Sequence, residues 1–367
     1  MSCDYIALAT QGVQGLTPYQ PGKPVEELER ELGISNIIKL ASNENPLGAS
    51  QKVIAALQSV MPELARYPDG NGFELKQAIS QHLGVAPDTI TLGNGSNDVL
   101  DLLARAYLEP QTEAIFSEYA FAVYPIAVQA CGATAIVTPA VDYGHDLAAM
   151  AAAITDKTKM IFIANPNNPT GTWLSLDAIE NFLAKVPESV LVVLDEAYFE
   201  YVEEPSYQSG IGLLERFPNL IVTRTFSKAY GLASLRVGYS VSNTQVANIL
   251  NRVRSPFNVD TFALTAATAA LADAEYLERS RTCNRAGLKQ IEAGVQELGL
   301  SYIPSVGNFI VVHFGCNSMP IYQGLLHRGV IVRPLANYAM PESLRVTVGT
   351  AEENQRFLSA LADVLEK

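Results

Sequence analysis

The chain has 367 residues, 48% of them hydrophobic and 17% charged, enough apolar material for two packed domains and too little charge for long disordered regions. Its 38 acidic and 25 basic side chains leave a formal charge of −13, which argues against nucleic acid or an anionic membrane as the main partner, so an anionic ligand has to be held by a few local cations. Four scattered cysteines (Cys3, Cys131, Cys283, Cys316), four isolated histidines, and the lack of a secretory signal or a membrane-length apolar run lead us to expect reduced thiols, no metal site and a cytoplasmic protein.

Residues 1–45 are mixed, and TPYQPGKP at 17–24 is too rich in proline and glycine for a regular element. From about residue 50 helical and strand patterns alternate. Short apolar runs at 112–116, 160–164, 190–194, 220–224 and 237–241 read as strands, and amphipathic stretches such as 175–186 read as helices. Continuous apolar strands separated by helices predict an α/β unit whose sheet is largely parallel and covered on both faces. Beyond about residue 258 the pattern changes. A long Ala- and Glu-rich helical region at 262–299 is followed by strands at 309–313, 330–333 and 344–348, with a helix at 319–328. Thr350 and Glu353 fit a capping box that opens a last helix. This reads as a second, smaller α+β domain.

Four segments at the ends of predicted strands carry unusual polar residues, and open α/β sheets bind ligands at the carboxyl ends of their strands. In TLGNGSND, a helix starting near Ser96 and Asn97 would offer free N–H groups to a phosphate, although alone this is equally a capped strand-to-helix turn. In ANPNNPTG, prolines and glycine explain a rigid turn but leave Asn167 and Asn168 unexplained. In VLVVLDEAYFEY, Asp195 and Glu196 end a buried strand, where a carboxylate must be paired or face a cleft. Helix capping is the plainer role for Asp195, and Tyr198 close by weakens it.

The fourth segment is TRTFSKAYGLASLRVG, residues 223–238. A lone lysine is usually a surface residue. Here Thr225 and Ser227 precede Lys228 and Arg236 follows eight positions later, a plausible phosphate cradle around an amine. An amine nucleophile beside a phosphate site and a strand-end carboxylate matches pyridoxal phosphate chemistry, in which lysine forms a Schiff base and an aspartate pairs with the pyridinium nitrogen.

In this order the motifs GNGSND, NPNNPTG, DEAY and TFSKAYGLASLRVG resemble the fold-type I pyridoxal-phosphate-dependent aminotransferases. With LTPYQPGKP (16–24), LASNENPLG (40–48), RYPDG (66–70), VGNFIVV (306–312) and LRVTVGT (344–350), nearly the whole chain resembles the histidinol-phosphate aminotransferase family. The resemblance implies a large domain at 46–258 built on a mostly parallel seven-stranded sheet, and a small C-terminal domain at 259–367. It implies an N-terminal arm, 1–45, packed on the small domain and on a partner subunit. Lys228 would form the Schiff base and carry the proton, Asp195 would keep the ring nitrogen protonated, and Tyr198 and Asn168 would bond the ring oxygen. Phe121 would stack on the ring, with Tyr119 as competitor. Ser96, Asn97, Thr225, Ser227 and Arg236 would hold the cofactor phosphate. Tyr67 would come from the second subunit of a homodimer, although by itself it is equally a surface turn aromatic.

For the substrate, Arg345 would bind the α-carboxylate, and Asn168 would contact the substrate as well. Tyr19 and Arg333 would bind the distal phosphate, with Asn308 or Asn337 near the same pocket. The implied reaction moves an amino group between L-histidinol phosphate and 2-oxoglutarate in histidine biosynthesis. The alternatives are a phenylalanine or tyrosine transaminase and a phosphoamino-acid decarboxylase on the same fold.

Overall fold

The structure is a computed structural model that describes residues 3–365. Its largest sheet has seven strands: β1 (Ile90–Gly93), β2 (Glu113–Ser117), β3 (Thr134–Thr138), β4 (Thr158–Ala164), β5 (Leu191–Asp195), β6 (Leu220–Thr225) and β7 (Gly238–Ser242). They lie in the order β1-β7-β6-β5-β4-β2-β3. Only β7 runs against its neighbours, and the remaining pairs are parallel. Side chains alternate strictly between two cores. Met160, Phe162 and Val193 meet helices Ser96–Tyr107 and Val123–Ala130 on one face. Ile161, Ile163 and Val192 meet helices Leu147–Ala152 and Leu176–Leu183 on the other. Burial on both faces is why these strands read as unbroken apolar runs.

The edge strand β3 is largely exposed and is not among the strands expected from the sequence, although its Ala135-Ile136-Val137 run is as long as those of β2 and β6. The helical region expected at 262–299 is broken. Helix Thr261–Leu271 ends, Asp273 caps the next helix by accepting from the Tyr276 amide, and Ala274–Glu297 follows. The first of these packs on helices Gln51–Val60 and Phe73–Leu83. Its Ala263, Ala266, Ala267 and Ala270 share a core with Leu92 and Tyr239 of the seven-stranded sheet.

A second, antiparallel sheet contains β8 (Ser301–Ile303), β9 (Phe309–His313), β10 (Arg333–Pro334) and β11 (Ser343–Thr347), in the order β8-β9-β11-β10. Helices Ala274–Glu297, Met319–Leu326 and Ala351–Leu365 cover it. The last begins at the expected capping box: the Glu353 amide donates to Thr350 Oγ1 at 3.2 Å, and the Thr350 amide to Glu353 Oε2 at 2.8 Å. Near the N-terminus, helix Val25–Leu32 precedes a strand-like segment whose Leu40 bonds Ile331 and Thr347 through its backbone. Residues 41–45 then cross from the small sheet to the large one. Among the described residues no helix is long and apolar enough to span a membrane, and no cluster of His, Cys, Asp or Glu could hold a metal ion.

Candidate active site

The ends of β1, β4, β5 and β6 and the start of β7 share one edge of the large sheet, where the crossing segment 41–45 and the small sheet close over them. A cavity of about 170 Å³ lies between. It is lined by Ser96, Asn97, Phe121, Asn168, Asp195, Tyr198, Thr225, Ser227, Lys228, Arg236, Tyr19, Arg333 and Arg345. The four sequence segments therefore converge.

At one end, Gly95 precedes helix Ser96–Tyr107 at φ 83° and ψ 166°, and no side chain caps the helix. Such backbone is open essentially only to glycine, and the exposed first-turn N–H groups favour an anion. Arg236 lies against this terminus. A Cβ on Gly95 would stand 2.4 Å from Nη2 of Arg236, and one on Gly238 would stand 2.5 Å from the Ser96 amide. Nη1 of Arg236 donates to Ser227 Oγ at 3.1 Å, and the Ser227 amide donates to Thr225 Oγ1 at 3.1 Å. Two glycines thus leave a cradle of amides, hydroxyls and one guanidinium whose donor set suits a phosphate group.

In the middle, Lys228 Nζ donates to the Ser42 carbonyl at 3.0 Å. Burial, reinforced by the Arg345 and Arg236 cations, pulls its pKa down to about 7, so an appreciable fraction is the neutral amine at neutral pH. Asp195 ends β5, where Tyr124 Oη donates to Oδ2 at 3.0 Å and Thr223 Oγ1 to Oδ1 at 3.1 Å. Burial pushes its carboxyl up while these hydrogen bonds pull it back, so a cation brought to this carboxylate would offset the cost of burying it. Burial pushes the Tyr198 phenol up to about 12, which keeps its proton in place. The geometry separates the two ring candidates. Phe121 lines the cavity, whereas the Tyr119 ring packs on Tyr143 at 5.7 Å and outside it.

At the far end, β10 and β11 place Arg333 directly opposite Arg345. Arg345 reaches the Asn168 side-chain oxygen and donates to the Ala41 carbonyl at 2.8 Å, and its buried Nε has no partner among the described residues. An orphaned guanidinium donor at a cavity wall invites an anionic ligand. Arg333 donates to the Gln20 carbonyl at 2.7 Å and sits 5.7 Å from the centre of the Tyr19 ring.

Three sequence candidates lie elsewhere in the chain. Asn308 donates to the Asn43 carbonyl and does not line the cavity. Asn337 is exposed on a short turn. Tyr67 is 83% exposed and stacks on Phe257 at 4.7 Å. Conversely, Ser42, Asn43, Tyr124, Thr223 and Tyr338 bond or line the site without having been assigned a role. Tyr124 looks like any core aromatic in a helix. Asn43 and Thr347 stand in LASNENPLG and LRVTVGT, segments whose residue pattern alone carries no chemistry.

The fold is that of a fold-type I aminotransferase. The family model for aminotransferase class I and II matches residues 35–361. The chain is 60% identical to histidinol-phosphate aminotransferase 2 of Pseudomonas fluorescens over the full length of both proteins. It is 55% identical to histidinol-phosphate aminotransferase 1 of Nitrosococcus oceani, covering 99% of this chain and 98% of that one. The crystal structure of histidinol-phosphate aminotransferase from Sinorhizobium meliloti, in complex with pyridoxal-5'-phosphate, superposes with a TM-score of 0.90 at 29% identity, covering 97% of each chain. A Porphyromonas gingivalis L-threonine-O-3-phosphate decarboxylase, 22% identical with a TM-score of 0.80 over 90% of this chain and 100% of that one, shares the fold. The chain belongs to the histidinol-phosphate aminotransferase family within the class I and II aminotransferases.

Proposed function

We propose that the protein transfers the amino group between L-histidinol phosphate and 2-oxoglutarate, with pyridoxal 5'-phosphate held in this cavity. The observation that carries the substrate reading is the adjacency of Arg333 and Arg345 across β10 and β11. Histidinol phosphate brings a phosphate monoester and glutamate brings two carboxylates. Two arginines paired across the strands and lining one cavity suit both, which a transaminase that alternates between these partners needs. The full-length relatives support the same reading.

When bound, the cofactor supplies an electron-withdrawing ring that takes up the charge left when the substrate Cα–H bond breaks. The chain supplies the rest. Ser96, Asn97, Thr225, Ser227 and Arg236 would bind the phosphate end, and Phe121 would stack on the ring. Asp195, held by Tyr124 and Thr223, would keep a proton on the ring nitrogen. Tyr198 and Asn168 would bond the ring oxygen. Lys228, as a neutral amine, would take the proton from Cα and return it to the cofactor side, a task suited to its lowered pKa. Arg345 and Arg333, with Tyr19, orient the anionic groups and fix which Cα–H faces Lys228.

The division of the chain follows the same reading. Residues near 1–45 form an arm, the seven-stranded unit holds the cofactor, and the C-terminal unit carries both substrate arginines. A second copy of the chain would supply Tyr67 and complete the site, and the protein works in the cytoplasm. Steady-state assays with histidinol phosphate and with histidinol test the substrate reading. The phosphate should be worth at least about a hundredfold in kcat/KM, the scale of losing charge-assisted hydrogen bonds. A preference for tyrosine or phenylalanine over histidinol phosphate would establish an aromatic transaminase instead. Release of carbon dioxide without consumption of 2-oxoglutarate would establish a decarboxylase.

A further inference from the structure

Asn43 is almost completely buried and sits at φ 54°, a left-handed conformation that asparagine tolerates better than most residues. It joins three parts of the molecule. Its amide N–H donates to Thr347 Oγ1 on β11 at 2.9 Å, and Asn308 donates to its carbonyl at 3.1 Å. Its side-chain oxygen accepts from Thr347 Oγ1 at 3.1 Å, and its Nδ2 donates to Tyr198 Oη at 2.9 Å.

The direction of these bonds follows from the network. Thr347 Oγ1 already accepts the Asn43 backbone N–H, and its own proton finds a receiver in Asn43 Oδ1. Turning the amide over would set two donors against that hydroxyl and leave its buried proton with no acceptor, a costly arrangement. With Oδ1 committed to Thr347, Nδ2 must face Tyr198. The Tyr198 oxygen is then an acceptor on that side, and its proton is left to point into the cavity.

We propose that Asn43 is a positioning residue, oriented by Thr347, that fixes the Tyr198 hydroxyl as a hydrogen-bond donor into the cofactor cavity. The donated bond also polarises the Tyr198 O–H, strengthening what it gives. The proposal rests on the cofactor reading above and is independent of which amine is the substrate. A hydrogen bond from Tyr198 to the cofactor's ring oxygen stabilises that oxygen's anionic form, so the neighbouring cofactor nitrogen holds its proton less tightly. Loss of the bond should raise the pH midpoint of the bound cofactor's visible band.

The test is a pH titration of that band, without substrate, in the cofactor-loaded wild type, Asn43→Leu, Tyr198→Phe and the double variant. Tyr198→Phe should raise the midpoint by about one pH unit, the scale of one hydrogen bond to a charged oxygen. Asn43→Leu should raise it by a sizeable part of that, and the double variant should match Tyr198→Phe alone. A midpoint unmoved by Asn43→Leu, or moved equally with and without the Tyr198 hydroxyl, overturns the proposal. If Asn43→Leu does not fold, Thr347→Val, which removes the orienting hydroxyl, is read against the same two outcomes. A wild type that forms no visible band would overturn the functional reading as well, whereas a normal wild-type titration without coupling overturns this proposal alone.

Discussion

Gly95→Ala probes the phosphate cradle at its tightest point. The new Cβ would lie 2.4 Å from Nη2 and 3.1 Å from Cζ of Arg236, so the guanidinium has to retreat by about 1 Å to reach ordinary contact. The backbone at φ 83° and ψ 166° also becomes strained, at a cost on the order of 1–3 kcal/mol. A retreat of that size breaks one charge-assisted hydrogen bond to the phosphate, worth about 1.5–3 kcal/mol. The Kd for pyridoxal 5'-phosphate should therefore rise about ten- to a hundredfold. Titrating the cofactor-free protein with cofactor, by absorbance or fluorescence, measures this directly. Backbone strain alone would show in the melting temperature of the cofactor-free protein and not in Kd. An affinity within about twofold of wild type would refute the placement of Arg236 against the helix terminus as a phosphate site.

Lys228 gives a pH signature in the cofactor-free protein. Below about pH 7 its amine is charged in both states, and burial of that charge counts fully against folding. From about 7 towards 10.5 only the unfolded chain keeps the proton, so stability rises with pH. Urea unfolding across that window should show a steeper rise for wild type than for Lys228→Met, and equal slopes would contradict the lowered pKa. Behind Asp195, Arg224 donates to Glu196 through Nε at 3.0 Å and Nη2 at 2.8 Å, with Glu200 at 3.8 Å. Arg224→Leu strands two buried carboxyl groups and should cost about 3–5 kcal/mol of unfolding free energy, so a loss under about 1 kcal/mol would show the pair to be dispensable. For Tyr67, mixing Lys228→Ala with Tyr67→Ala should raise activity above the mean of the two, because half of one hybrid's sites regain both residues. Activity at or below that mean would place Tyr67 outside the site.

The sequence announced β4, β5 and β6 because burial on both faces leaves no polar alternation, and the site residues sit where those runs stop. Lys228, Asp195 and Arg236 were legible for that reason: each is a charge placed where the fold has no structural use for one. β3 was missed: its three-residue apolar run sits on an edge strand that is exposed along most of its length, so the run alone does not tell a buried strand from an exposed one. The break at Ala272–Asp273 was also hidden, because a single aspartate cap inside an Ala- and Glu-rich stretch looks like helix. The supporting groups were the hardest to see. Tyr124, Thr223 and Asn43 act through hydrogen bonds to residues 71, 28 and 155 positions away, and no local spacing encodes such distances. Resemblance could bring Tyr19, Arg333 and Arg345 forward as candidates, but only the register of β10 on β11 shows that the two arginines are paired across the strands at the wall of one cavity.

Which amine the protein acts on is decided by a single half-reaction. The cofactor-loaded protein is mixed in turn with L-histidinol phosphate, glutamate, tyrosine and phenylalanine, and conversion to the amine form of the cofactor is followed spectroscopically. Fast, complete conversion by histidinol phosphate and by glutamate, with the aromatic amino acids at least about tenfold poorer in rate over concentration, is the predicted result. Faster conversion by tyrosine or phenylalanine than by histidinol phosphate would contradict it.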